Sequence, residues 1–315
     1  MKNLAVSMLA MASIAAMVSC SSNNDPVDEV GNGEKVEIKL SAGLISTKAP
    51  IENGIGDNAN YPSANVLLDL IAAPDAATAV WTAINTVASK PNLTTNGIVD
   101  FSSTTKLYYN ANETLKSHIL AYSPSGDNTT AGSVTWTIDG SNDIIVAQAV
   151  SGSKSSVVGA LTFEHLLTQL QVEVQGDAAA ISTFGNITSI QVKDALTKPK
   201  MTFTDDKVTT LDWTNSDKAT LKVFTPGTNN AISSASITNT FTSVGYIMLQ
   251  PAASYTLLIT TEKMASKEVT VTMENTAAAG SAHKIQLTFS ATSIEPTATL
   301  TGWKTSTDKG TGTVE

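Results

Sequence analysis

Few side chains in this sequence are of kinds that do covalent or metal chemistry, and those few are widely spaced. The three histidines, His118, His165 and His283, lie far apart on stretches that read as strands, with no carboxylate or cysteine at metal-ligand spacing beside them. Each is expected to serve packing or hydrogen bonding rather than a metal. His165, within Phe163-Glu164-His165, is the candidate for a buried, hydrogen-bonded histidine. There is no Gly-x-Ser-x-Gly elbow for a nucleophilic serine and no glycine loop for phosphate. Asp205-Asp206-Lys207 reads as a solvated turn, not as an acid/base pair. Trp81, Trp136, Trp213 and Trp303 are scattered one per region, which suits packing better than a sugar-stacking platform. No enzymatic activity and no cofactor are expected. Two positions remain: Cys20, the only cysteine, and Lys48, which stands between small residues just before Ala49-Pro50.

Cys20 closes Met17-Val18-Ser19-Cys20, behind one lysine near the start and an apolar run over residues 4–18. That run is shorter than the roughly 20 apolar residues of a membrane-crossing helix, so residues 1–19 read as a secretory signal. The four residues resemble a bacterial lipobox, in which the cysteine is acylated and becomes the mature N-terminus. Each buried CH₂ of an acyl chain contributes about 0.8 kcal/mol, so several chains on one cysteine would hold a precursor to a membrane. A lone cysteine also excludes an internal disulfide. Residues 20–35, polar and acidic with two glycines, read as a flexible tether.

Lys48 follows the clearest strand in the chain, within residues 36–49 (VEIKLSAGLISTKA). Val36, Ile38, Leu40, Ala42 and Leu44 fall on one parity and Glu37, Lys39, Ser41 and Gly43 on the other, the period of a half-buried β-strand. A well-formed strand running into a protease-accessible lysine makes sense if residues 36–48 are meant to be removed and replaced.

The other elements must be built from what the composition supplies. The 315 residues are 42% hydrophobic, enough for a packed core, with only 5% aromatics. Thr and Val favour strands, and Asn, Gly and Ser favour the turns between them. The net charge of −9 includes no arginine, so there is no basic face and nucleic acid is excluded as a partner. Val80, Ile84 and Val87 recur at helical spacing and predict the one helix, over residues 76–89. Short strands are expected over residues 98–101, 106–109 and 118–122, with a hairpin pairing residues 134–138 with 143–148. Residues 151–156 (SGSKSS) read as a linker between a domain at 49–154 and another at 155–315. The apolar parity flips between Phe163 and Leu170, which suggests a bulge or a strand bending between two sheets. Further strands follow at short spacing from Ile187 to Phe289, so the fold class is all-β, built of β-sandwiches.

Several segments, in order from start to end, resemble the fimbrillin family, the type V pilins of the Bacteroides group. They are the lipobox at Cys20, Thr47-Lys48-Ala49, HILAYSPSG (118–126), IDGSNDIIVAQ (138–148), LTFEHLLTQLQVEV (161–174), YIMLQP (246–251), HKIQLTF (283–289) and Gly302-Trp303. The resemblance implies two transthyretin-like β-sandwich domains in tandem and export as an outer-membrane lipoprotein precursor. It also implies cleavage by a trypsin-like protease after Lys48, leaving Ala49 as the new N-terminus. Many members carry Arg where this chain has Lys48, so an Arg-only protease would not cut here. The groove left by the removed strand would take the donor strand of another pilin subunit, a copy of this chain in a self-polymer or an anchor or tip subunit, making adhesive fimbriae at the cell surface. The tail over residues 304–315 has only Val314 as a large apolar residue, so the donor could instead include residues 294–303.

Fully burying a Val, Ile or Leu contributes about 1.5–3 kcal/mol. Loss of Val36, Ile38, Leu40 and Leu44 together should therefore leave the first domain marginal. The alternative is a monomeric, lipid-anchored surface protein that binds glycans through sandwich loops. Such a protein has no use for a detachable first strand.

Overall fold

A computed structural model describes residues 35–44, 50, 51, 54, 55, 65–82, 84, 86–130, 132–203, 211–225, 228 and 230–301. Its strands begin with β1 (Ala42–Leu44), β2 (Pro50–Ile51), β3 (Gly54–Ile55), β4 (Val66–Leu67), β5 (Asp69–Ala76), β6 (Asn92–Leu93) and β7 (Val99–Asp100). They continue through β8 (Lys116–Ser123), β9 (Asn128–Thr130), β10 (Ser133–Thr135), β11 (Ile145–Gly152), β12 (Leu161–His165) and β13 (Thr168–Gly176). After a helix, α1 (Ala178–Phe184), come β14 (Ile187–Leu196), β15 (Lys200–Thr202), β16 (Lys218–Lys222) and β17 (Thr242–Leu249). The described chain ends with β18 (Ser254–Thr261), β19 (Lys267–Thr272), β20 (Ala282–Phe289) and β21 (Ile294–Thr301). Among the described residues the fold is all-β apart from α1.

The central layer is a five-stranded sheet in the order β1-β12-β11-β8-β5, with β1 parallel to β12 and the other pairs antiparallel. The middle of β8 (residues 119–122) and the start of β11 (145–147) are continuously apolar because both faces there are covered. Ile119, Ala121, Ile145 and Ala147 point into one core, with Ile38, Leu40, Val99, Phe101, Leu161 and Phe163. Leu120, Tyr122 and Val146 point into another, with Trp81, Val134, Trp136, Met201 and Phe203. The Tyr122 and Trp136 rings meet edge to face at 5.5 Å, and the Trp136 indole donates to the Pro124 carbonyl at 2.9 Å.

Beyond β12 two four-stranded sheets, β17-β13-β20-β21 and β16-β14-β18-β19, enclose a third core. Alternating residues supply it, Leu170, Val172 and Val174 from β13 and Leu257 and Ile259 from β18. The parity flip expected between Phe163 and Leu170 is the point where the chain leaves one sheet for another. The buried Asp143 carboxylate holds this corner: one oxygen bonds His165 Nδ1, and the other accepts from the Ile144 N–H at 2.7 Å and the Leu167 N–H at 3.3 Å. Burial raises the Asp143 pKa, against the opposing pull of His165.

Three expectations are corrected. Among the described residues of 76–89 there is no helix. The Ala88 N–H instead donates to the Leu70 carbonyl at 2.8 Å, and Val80, a member of the helical pattern, is 53% exposed. The helix lies at α1, where Asp177 caps the Ala180 N–H at 2.7 Å and Gly185 ends it at a φ of 69°. β10 and β11 do not form a hairpin. β10 pairs with β9 and β15, β11 pairs with β8 and β12, and the intervening Ile138 N–H bonds the Thr197 carbonyl. Residues 151–156 are not a passage between separate sheets, because Ser153 and Ser156 close the turn between the paired strands β11 and β12.

Replacing Asp143 by alanine leaves His165 buried without its carboxylate and frees two backbone donors, so a stability loss of about 3–5 kcal/mol is expected. Urea unfolding of the Asp143→Ala protein measures it, and a loss below about 1 kcal/mol would mean that the pair does not hold the corner.

Candidate functional site

Among the described residues, those singled out in the sequence do not gather into a reactive cluster. His118 Nε2 bonds the Ala76 carbonyl at 3.0 Å, His283 Nε2 meets Ser281 Oγ at 3.0 Å, and His165 is taken up by Asp143. Burial lowers the His283 pKa. Among the described residues no group of three or more His, Cys, Asp or Glu side chains is placed to hold a metal. Trp81 and Trp136 are core residues and Trp213 packs against the same core. Cys20, Lys48, Ala49, Asp205-Asp206-Lys207 and Trp303 lie outside the described residues.

The arrangement that stands out is the seat of residues 36–44. The period-two pattern places alternate side chains inward, and Ile38, Leu40 and Ala42 are 2%, 5% and 4% exposed. Val36 departs from the expectation at 39% exposed. The Leu44 side chain is outside what is described. Ile38, Leu40 and Ala42 share their core with Leu161 and Phe163 of β12, and with Val99, Phe101 and Tyr109.

Both backbone edges of the segment are engaged. On one side it runs antiparallel to residues 97–109, where Ile38 N–H donates to Leu107 at 2.8 Å and Ala42 N–H to Gly97 at 2.8 Å. Tyr109 N–H returns a bond to Val36 at 3.0 Å and Val99 N–H one to Leu40 at 3.1 Å. On the other side Leu161 N–H donates to Ser41 at 2.8 Å and β1 continues parallel to β12, with Ala42 opposite Leu161 and Leu44 opposite Phe163. The Gly97 carbonyl is offered by a tight turn after Asn96, in which Gly97 takes a φ of 75° that a side chain would strain.

The first wall is also tied to the chain just ahead of β12, since Tyr109 Oη accepts from the Val158 N–H at 2.8 Å. At the rim Lys106 Nζ lies 2.9 Å from Glu37 Oε2, and this carboxylate raises the Lys106 pKa by hydrogen bond and by charge. Neither tie was anticipated from sequence. The signals were Glu37 at the head of the apolar alternation and Lys106 opening the run to Tyr109. Chemically, such a seat can hold an extended peptide by its backbone on both edges and by its side chains on one face.

The segment proposed as an alternative donor is itself paired. β21 runs antiparallel to β20 over eight residue pairs, with Ile294 and Ala298 buried.

No curated protein matches the chain. Among solved structures, a cell adhesion protein candidate from Bacteroides uniformis superposes with a TM-score of 0.60 at 14% identity, covering 87% of this chain and 100% of that one. Another from Bacteroides ovatus gives 0.55 at 14% identity, over 86% and 97% of the two chains. At such identity the likeness is one of fold. The family model described as fimbrillin-like matches residues 63–303, well over half of the sequence, and the chain belongs to that family.

Proposed function

We propose that the chain is the precursor of a structural fimbrial subunit. In this reading it is exported as a lipoprotein anchored through Cys20 and cut after Lys48 by a trypsin-like protease. It then joins other subunits by donor-strand exchange in a fimbria at the cell surface. Membership of the fimbrillin-like family supports the subunit role and no enzymatic one. Two sandwich units in tandem belong to the same reading. The facing four-stranded sheets that begin with β13 support the second unit.

The observation that carries cleavage and exchange is the seat of residues 36–44. A strand with hydrogen-bonded neighbours on both edges is part of the sheet, yet this one joins the rest of its chain only through residues 45–49, which contain Lys48. Ile38 and Leu40 together account for about 3–6 kcal/mol of burial, against a typical net stability of about 5–15 kcal/mol. Removing them would strip partners from the N–H groups of Val99, Tyr109 and Leu161 and open an apolar slot. A strand from another subunit restores both, as β-strand addition does in general.

Limited trypsin digestion is the direct test. Early cleavage after Lys48 should give a product that unfolds at lower denaturant and is rescued by a synthetic peptide of residues 35–44. The Lys48→Gln precursor should resist that cut. If the cut product keeps the stability of the intact chain after the released segment is washed away, the exchange reading fails. In the intact chain, Leu40→Ala should cost about 2–5 kcal/mol and Val36→Ala no more than about 0.5 kcal/mol, read from urea unfolding.

A further inference from the structure

Resting on that reading, we infer that the slot takes a strand from a chain of different sequence, running parallel to β12 and carrying an acidic residue followed by a large–x–large–x–small apolar alternation.

The seated segment defines the pattern. Its buried side chains fall in size from Ile38 and Leu40 to Ala42, while Lys39 and Ser41 between them are exposed. The third position is small where Ala42 lies opposite Leu161 and its N–H bonds the Gly97 carbonyl. A large side chain there would overpack a finished core. Direction follows from the walls, one antiparallel and the other parallel to the segment, because the two kinds of ladder space their bonds differently. A reversed strand would meet the wrong ladder on each side and bring its small residue to the seat of Ile38. The acidic position follows from Lys106, which stays on the wall when the segment leaves and then lacks the Glu37 carboxylate.

Once residues 36–48 are removed, the rest of these 315 residues offers no such strand. An acidic residue followed by large–x–large–x–small occurs once in the 315 residues, at Glu37–Ile38–Lys39–Leu40–Ser41–Ala42, within the part that cleavage discards. β21 reads Ile294, Pro296, Ala298 on its buried face, with proline in place of the second large residue and Ser293 in place of the acid. The strand that fills the slot therefore comes from a different subunit.

The test uses trypsin-cut, purified protein and a fluorescent peptide of residues 35–43, followed by polarisation. The native sequence should bind, and peptides with alanine at the Leu40 position or leucine at the Ala42 position should bind at least about tenfold more weakly. A lysine at the Glu37 position should weaken binding up to about fivefold, and Lys106→Glu protein should reverse that order. The retro-sequence peptide should not compete, and the cut protein alone should stay monomeric in light scattering. Equal binding of all peptides, or self-assembly of the cut protein that the native peptide blocks, would overturn the inference and leave strand exchange standing. Failure of the native peptide to bind a folded cut protein would instead remove the exchange reading itself. Should the cut protein not stay folded, the intact chain serves: Glu37→Lys should lower its unfolding midpoint and Glu37→Lys with Lys106→Glu should recover it. No recovery would overturn the charge rule.

Discussion

A sheet that is apolar on both faces has to be covered on both faces, and much of this molecule follows from that requirement. In β8 and β11 successive side chains alternate between two cores, so that Ile119 and Leu120, or Ile145 and Val146, depend on different neighbours. One face is roofed by Trp81, Trp136, Met201 and Phe203, drawn from stretches far apart in sequence. The other is roofed by residues 36–42 with β4, β6 and β7. Each roof is thin, and a thin roof is where loss of a single strand is felt most.

What could be read in the sequence was what depends on neighbours one or two residues away. The alternation from Ile38 to Ala42 and from Leu170 to Val174 is local. What could not be read depends on distant pairing. Residues 134–138 look like half of a hairpin until the Trp136 and Ile138 N–H groups find Pro199 and Thr197. Residues 76–89 carry helical spacing, yet the Ala88 N–H is claimed by Leu70 across the edge of β5. The helix that does form is seven residues long and too short for periodicity to reveal, although Asp177 and Gly185 at its ends are the residue types that start and stop helices.

The same division applies to the candidate site. The plug was visible in its own residues, whereas its walls were not, because they come from residues 97–109 and from β12. Val36 shows the limit of periodicity, which says which way a side chain points and not whether anything lies there. Asp143 and His165 give a second case. The histidine was picked out as buried and hydrogen-bonded, but its partner lies 22 residues upstream at a corner no pattern announces.

The bond from Val158 to Tyr109 bears on the proposed exchange. It ties the wall at Tyr109 to the chain just ahead of β12 without passing through residues 36–44. In that exchange an arriving strand would give up its own freedom against a wall part of which the fold already holds, and a group ordered beforehand is one whose ordering does not weaken binding.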